Sequence, residues 1–279
     1  MMDNWIALSL LAGLFSNIFN FGNRYVLKSK GDATSYAWLV GTVRLLAFIV
    51  IALFIASPLP AISAIYVLAA LGLVEVVSAY VFMKMHAASH LSISSLIVRT
   101  RLVWVPVIAM IFLKEQLIVR EYVGILILFL GLSVTISSHK LRMDKGVKLA
   151  YLSGFIIGVL TVLMKAATSV ASTAFVMISM SLPTVLIFPM LMKDPKKRLS
   201  RVLVKNAGMK LIASFSNIAA MFFYTRALQV GPVSKVTSIY QGALILSVLA
   251  GIILLKERED IIKKLIGSAG VIAGAFLLT

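Results

Sequence analysis

The chain has 279 residues, of which 61% are hydrophobic and 13% charged, with a net charge of +17 and no cysteine. An apolar share this far above that of a soluble domain, with a mean hydropathy of +1.02, excludes a water-soluble globular protein and places most of the chain in hydrocarbon. The missing cysteines exclude disulfides, thiolate chemistry and cysteine-based metal sites. The basic excess fits lysines and arginines gathered on the cytoplasmic loops of a multi-spanning protein rather than nucleic-acid binding.

A helix needs about 20 apolar residues to cross roughly 30 Å of hydrocarbon. Runs of that kind are predicted at 5–25, 36–56, 61–85, 91–113, 122–138, 147–164, 173–192, 211–224, 236–255 and 261–278. Helices are expected because an unpaired backbone amide in lipid costs several kcal/mol. The segments are also too long and too evenly apolar for barrel strands. The first run follows MMDNW with no basic leader, so it is read as a retained helix. Turn-forming stretches fall between the runs, at SPLPA (57–61), HKLRMDKG (139–146), MKDPKKRLSR (192–201) and GPVSK (231–235). The connections after odd-numbered spans hold 19 basic residues, the even connections hold 5, and 3 lie within spans. That bias predicts cytoplasmic odd connections and both termini outside.

The chain repeats itself. Residues 84–121 align with 226–263 at an offset of 142: Ser92 falls on Ser234, Ile97 on Ile239, Leu102 on Leu244, and IFLKE (111–115) on IILLKE (252–257). Gly124 and Gly131 then meet Gly267 and Gly274 after a one-residue slip. Near the front of each half, Lys28 and Arg44 are echoed by Lys165 and Ser181 at an offset of 137. The expected organisation is a first five-helix repeat at 1–138, a basic connection at 139–147 and a second repeat at 148–279. Five crossings per repeat is an odd number, so the second repeat enters from the opposite side. The fold class expected is all-α integral membrane, ten transmembrane helices arranged as two inverted five-helix repeats.

Polar side chains at membrane depth face a partner or a cavity. Arg44 falls mid-span in the second run, Glu75 in the third, Arg99 and Arg101 in the fourth, and Asn17 and Asn20 share one face of the first. Glu75 is the single acidic residue placed inside a span. The offsets superpose Glu75 on Asn217, Arg99 on Gln241 (beside Tyr240) and Arg44 on Ser181. One shared polar cavity is expected, with spans 1, 3 and 4 facing 6, 8 and 9. Arg99 and Arg101, two positions apart on a helix, should point to different sides, and equivalence with Gln241 favours Arg99. A purely structural alternative pairs Glu75 with a nearby arginine to neutralise buried charge. His86 and His90 have the spacing of a helical metal pair but no third ligand, so no metal is expected. The repeated glycines are read as close-packing positions.

The second half, YTRALQVGPVSKVTSIYQGALILSVLAGIILLKERED followed by GSAGVIAG, resembles the EamA-type repeat of the drug/metabolite transporter superfamily, and VGTVRLLAFIVIAL and MIFLKEQ in the first half are similar. The resemblance implies a ten-helix inverted-repeat permease that exports amino acids or other small metabolites by alternating access, with no cofactor. The first half departs from it with Ser89-His90 where the second has Gly231-Pro232, and with Arg99 and Arg101 in a helix that is usually uncharged. That basic lining argues against a generic amphiphilic drug.

The candidate binding or coupling residues are therefore Glu75, Arg44, Arg99, Asn17, Asn20, Ser181, Asn217, Gln241 and Tyr240. Arg44 and Arg99 are expected to attract a carboxylate or phosphate. Glu75 would bind an ammonium group or take up a coupling proton. The expected partners are the bilayer of the cell membrane and a small zwitterionic or anionic solute, with no nucleic acid; a homodimer is left open. The alternatives are a lipid or lipid-linked-sugar flippase on the same fold, an integral-membrane enzyme, for which no activated nucleophile or paired carboxylates are visible, and a non-transporting scaffold without a cavity.

Overall fold

The computed structural model describes residues 4–27, 32–88, 99–135, 145–202, 204, 206–243, 245 and 261–279. These residues form helices and connections with no strand. In chain order the helices are α1 (Trp5–Leu27), α2 (Ala33–Phe54), α3 (Ile65–Ala88), α4 (Arg101–Phe112), α5 (Val119–Thr135), α6 (Lys145–Thr168), α7 (Thr173–Met190), α8 (Pro195–Ser200), α9 (Ala207–Val230), α10 (Val233–Gly242) and α11 (Ile261–Leu278). A 3₁₀ turn, Ile62–Ala64, leads into α3.

Six stretches are long and apolar enough to cross a bilayer: Trp5–Leu27, Ala33–Phe54, Ile62–Ala87, Lys148–Thr168, Thr173–Met190 and Ala207–Val230. Against the ten spans expected, the described residues thus hold eleven helices, six of them of spanning length and composition. The fourth and ninth expected spans run into 89–98 and 246–260, which lie outside the described residues. Large apolar side chains cover the outer surface: Phe54 is 88% exposed, Phe276 77% and Phe112 74%. Water would not tolerate such a surface, whereas lipid solvates it. The interior holds the polar groups that lipid would reject, Arg44, Glu75 and Arg101 among them.

Local chemistry sets the helix ends. Asp32 caps α2, its carboxylate accepting from the Ser35 amide at 3.2 Å. Asp194 sits in the left-handed region at φ 53°, and Pro195 then opens the one-and-a-half-turn helix α8. The expected plain loop at 192–201 therefore contains a short helix. The eighth span, expected at 211–224, extends over the whole of α9. Lys210, Thr225 and Arg226 lower its hydropathy, but Lys210 and Thr225 are buried, not in lipid.

The helices pack in matched pairs. α1 lies on α9 as α3 lies on α6; α4 on α6 as α10 on α1; α3 on α7 as α9 on α2. α2 packs on α7, α4 on α10 and α5 on α11. Exchanging α1 to α5 for α6, α7, α9, α10 and α11 maps this set of neighbours onto itself. The α5 and α11 contact shows the same reciprocity: a methyl at Gly124 would meet the Gly274 oxygen at 2.9 Å, and one at Gly131 would meet the Gly267 oxygen at 2.7 Å. The start of each helix thus touches the end of the other, so the two run antiparallel in near backbone contact.

Candidate functional site

Where α1 to α4 meet α6, α7, α9 and α10, the helices enclose a cavity of about 540 Å³. Its volume falls in the usual range of about 300–1,000 Å³ for small-molecule sites. One wall is the pair of Arg44 on α2 and Glu75 on α3. Arg44 Nη2 donates to Glu75 Oε1 at 2.6 Å, and Arg44 Nε donates to Ser181 Oγ on α7 at 2.7 Å. Ser181 in turn donates to the Met177 carbonyl at 2.8 Å. The two charged side chains are only 5% and 9% exposed. Their mutual neutralisation makes both tolerable at membrane depth.

The opposite wall is aromatic and hydroxylic. Tyr240 on α10 donates to Ser16 Oγ on α1 at 2.6 Å, and its ring packs 4.6 Å from that of Tyr224 on α9. Tyr224 shares a hydrogen bond with Thr237 at 2.9 Å. The Arg101 guanidinium lies over the Tyr240 ring, 4.9 Å from its centre. Asn17 reaches the Ala243 carbonyl at 3.4 Å. Gly13 lets α1 approach this wall, since a methyl there would clash with the Tyr240 main-chain carbonyl and the Ala243 side chain.

Asn17, Asn20, Arg44, Glu75, Arg99, Asn217, Tyr240 and Gln241 all line the cavity. Ser181 stands behind Arg44 and holds it in place. Three placements differ from expectation. Arg101 lines the cavity together with Arg99, because Arg99 and Thr100 form a turn ahead of α4 and helical spacing does not separate them. Arg44 is committed to Glu75 and Ser181, which removes it as the first receiver of a solute anion in this conformation. α2 and α7 contribute to the walls as well as the six expected spans. His86 lies buried edge-on to Phe82 at 4.5 Å, and His90 lies outside the described residues. No metal-binding cluster occurs among the described residues.

Arg101, which the repeat equivalence sets behind Arg99, and Tyr224, which no sequence pattern marks, both line the cavity. Tyr224 sits in a run that ends the predicted eighth span, and its place beside Tyr240 follows only from the turn between α9 and α10. In the sequence Glu115 stands out only as part of a repeated LKE. Its carboxylate accepts from the Val233 and Ser234 amides at 3.1 and 3.2 Å, so the segment that follows α4 caps the start of α10. Lys165 caps the end of α9, donating to the Leu228 and Gly231 carbonyls at 2.6 and 3.0 Å. Lys235 and Glu121 pair at 2.5 Å nearby. Elsewhere Arg198 of α8 forks onto Asp32, joining the chain's two halves again.

These features define a helical integral membrane protein that crosses the bilayer several times around a charged central cavity. Residues 144–279, just under half of the chain, match the model of the EamA-like transporter family. A solved crystal structure, described only as that of a protein, aligns with a TM-score of 0.74 at 14% identity. The alignment covers 98% of this chain and 97% of that one, so the likeness of fold extends through the first half as well. No curated protein matches the chain.

Proposed function

We propose that the chain is a secondary carrier in the cell membrane, moving small polar metabolites by alternating access. In this reading it has ten spans in two inverted repeats, 1–138 and 148–279, joined by 139–147. The observation that carries the proposal is the central cavity, walled by the Arg44–Glu75 pair and by helices from both halves. A scaffold needs the ion pair but not the space beside it. The self-mapping helix contacts support an inverted repeat, because two equivalent halves can exchange which side of the cavity they close.

Glu75 is the proposed coupling residue. Its partner Arg44 ties α2 and α3 to α7, so a proton taken by the carboxylate would release Arg44 and loosen the two halves at their junction. A solute anion reaching Arg44 at that moment would bind only the released state, which is the differential binding that coupling requires.

A metabolite-resistance screen comparing overexpressing and deletion cells would name the cargo. Its uptake into proteoliposomes, with and without a pH gradient, tests the reaction. Gradient-dependent uptake is expected. Retention of no solute by proteoliposomes, for cargo that the cells demonstrably resist, would count against direct transport.

A further inference from the structure

We propose that the cavity selects a net organic anion, its carboxylate seated on Arg101 and its apolar body lying among the aromatic and methionine side chains of the same cavity. The inference rests on the transport reading and narrows the solute from zwitterionic or anionic to anionic.

Arg101 carries it. The residue is 8% exposed and lines the cavity, and its Nε has no hydrogen-bond partner. It makes no ion pair among the described residues. A guanidinium buried at membrane depth with no counter-charge among the described residues is unfavourable, and a bound anion relieves it. Its posture suits that role. Its contact with the Tyr240 ring, 4.9 Å from the ring centre, takes up no N–H in a conventional hydrogen bond, and the guanidinium fork matches the two oxygens of a carboxylate. The ring itself is held by Ser16 and flanked by Tyr224, so the platform is already in place before any ligand arrives.

An amino acid would also bring an ammonium group, which a carboxylate partners best at membrane depth. Glu75 is the one acidic side chain lining the cavity among the described residues, and it is engaged by Arg44 at 2.6 Å. The ammonium of a zwitterion would meet a guanidinium-rich cavity with its single acid occupied. The lining also includes Phe19 stacked on Phe82 at 6.2 Å, with Met83 and Leu160. Phe82 lies two turns along α3 from Glu75, roughly 10 Å at 1.5 Å per residue. That surface suits an apolar body rather than a sugar.

Three probes with one phenyl skeleton separate the charge classes: phenylpyruvate, phenylalanine and phenethylamine, measured by equilibrium binding to the full chain in detergent. Phenylpyruvate should bind at least roughly tenfold more tightly than phenylalanine, and phenethylamine not at all, with Arg101→Gln losing roughly tenfold for phenylpyruvate and Arg101→Lys less. If Arg101→Gln does not fold, the three-probe comparison on the unchanged protein still decides. Phenylalanine or phenethylamine binding as tightly as phenylpyruvate, no binding of any probe, or unaltered binding by Arg101→Gln would each overturn the inference. In proteoliposomes, phenylalanine carried without phenylpyruvate binding sinks the anion site and leaves transport standing. Phenylpyruvate bound but never moved under any gradient does the reverse.

Discussion

Arg44 Nε donates to Ser181 Oγ at 2.7 Å, and the repeat read in the sequence sets these two residues, 137 apart in the chain, at equivalent positions. A residue that touches its own counterpart lies where an axis relating two equivalent halves would pass. At that point the chain is asymmetric: one side carries a guanidinium with its own carboxylate, the other a hydroxyl. The ion pair at this junction therefore belongs to the first half alone.

Breaking the pair at one side should be far worse than removing it. Arg44→Met leaves Glu75 buried without its partner and Glu75→Met leaves Arg44 so; each should destabilise by about 3–5 kcal/mol, while the double change returns most of that. Thermal unfolding in detergent reads both effects. Glu75→Gln, which keeps the shape, should insert and fold yet lose gradient-coupled transport. Normal coupled transport by that variant would end the proton role of Glu75.

Glu115 should matter for stability rather than for solute binding. Glu115→Ala leaves the buried Val233 and Ser234 amides without acceptors and should cost about 1–3 kcal/mol, with Glu115→Gln intermediate because it keeps one oxygen. Equal melting temperatures for the three proteins would show that the cap is immaterial.

Two glycines, Gly274 in the α5 and α11 contact and Gly208 at the open start of α9, should respond to substitution in opposite ways. In Gly274→Ala the new methyl would lie 2.6 Å from the Gly124 oxygen, a backbone atom that cannot swing away. The helices must part, at about 1–3 kcal/mol. Gly208 has nothing within 4 Å, so Gly208→Ala should be neutral or stabilise α9 by up to about 1 kcal/mol. Thermal unfolding of the two variants side by side checks the contrast.

The Asp32–Arg198 tether should respond to acid. Burial raises the Asp32 carboxyl, but hydrogen bonds from Arg198 and Ser35 outweigh it and bring the pKa down to about 2. A carboxylate whose folded pKa lies below its free value of about 3.9 stabilises the fold above about pH 4 and loses that contribution as pH falls toward 2. Asp32→Asn should therefore flatten part of the stability decline between pH 4 and 2. At neutral pH the loss should stay under about 1 kcal/mol, because the pair is 32% and 38% exposed. A melting profile measured across this range, unchanged by the substitution, would contradict the link.

Much of this is legible in the sequence. Hydropathy found the helices whose outer faces meet lipid, and the offset brought Arg44 and Ser181 together because equivalent positions near an axis are neighbours in space. Hydropathy misjudged α9 for the same reason that it works elsewhere. It scores Lys210 and Thr225 as unwelcome in lipid, whereas the Lys210 ammonium bonds the Val202 carbonyl and the Thr225 hydroxyl bonds the Met221 carbonyl. Arg101 was misassigned because side-chain direction was inferred from helical spacing across a turn. The Glu115 cap joins residues 118 positions apart, and no local pattern announces it.

Since the chain contains no cysteine, single cysteines can report on the cavity directly. Asn20→Cys and Gln241→Cys, both on cavity-lining positions, would be exposed to a membrane-impermeant maleimide in vesicles of each orientation. An alternating-access carrier predicts labelling from both faces, with solute shifting the two rates in opposite directions. Labelling from one face alone, indifferent to any solute the cells resist, would contradict it.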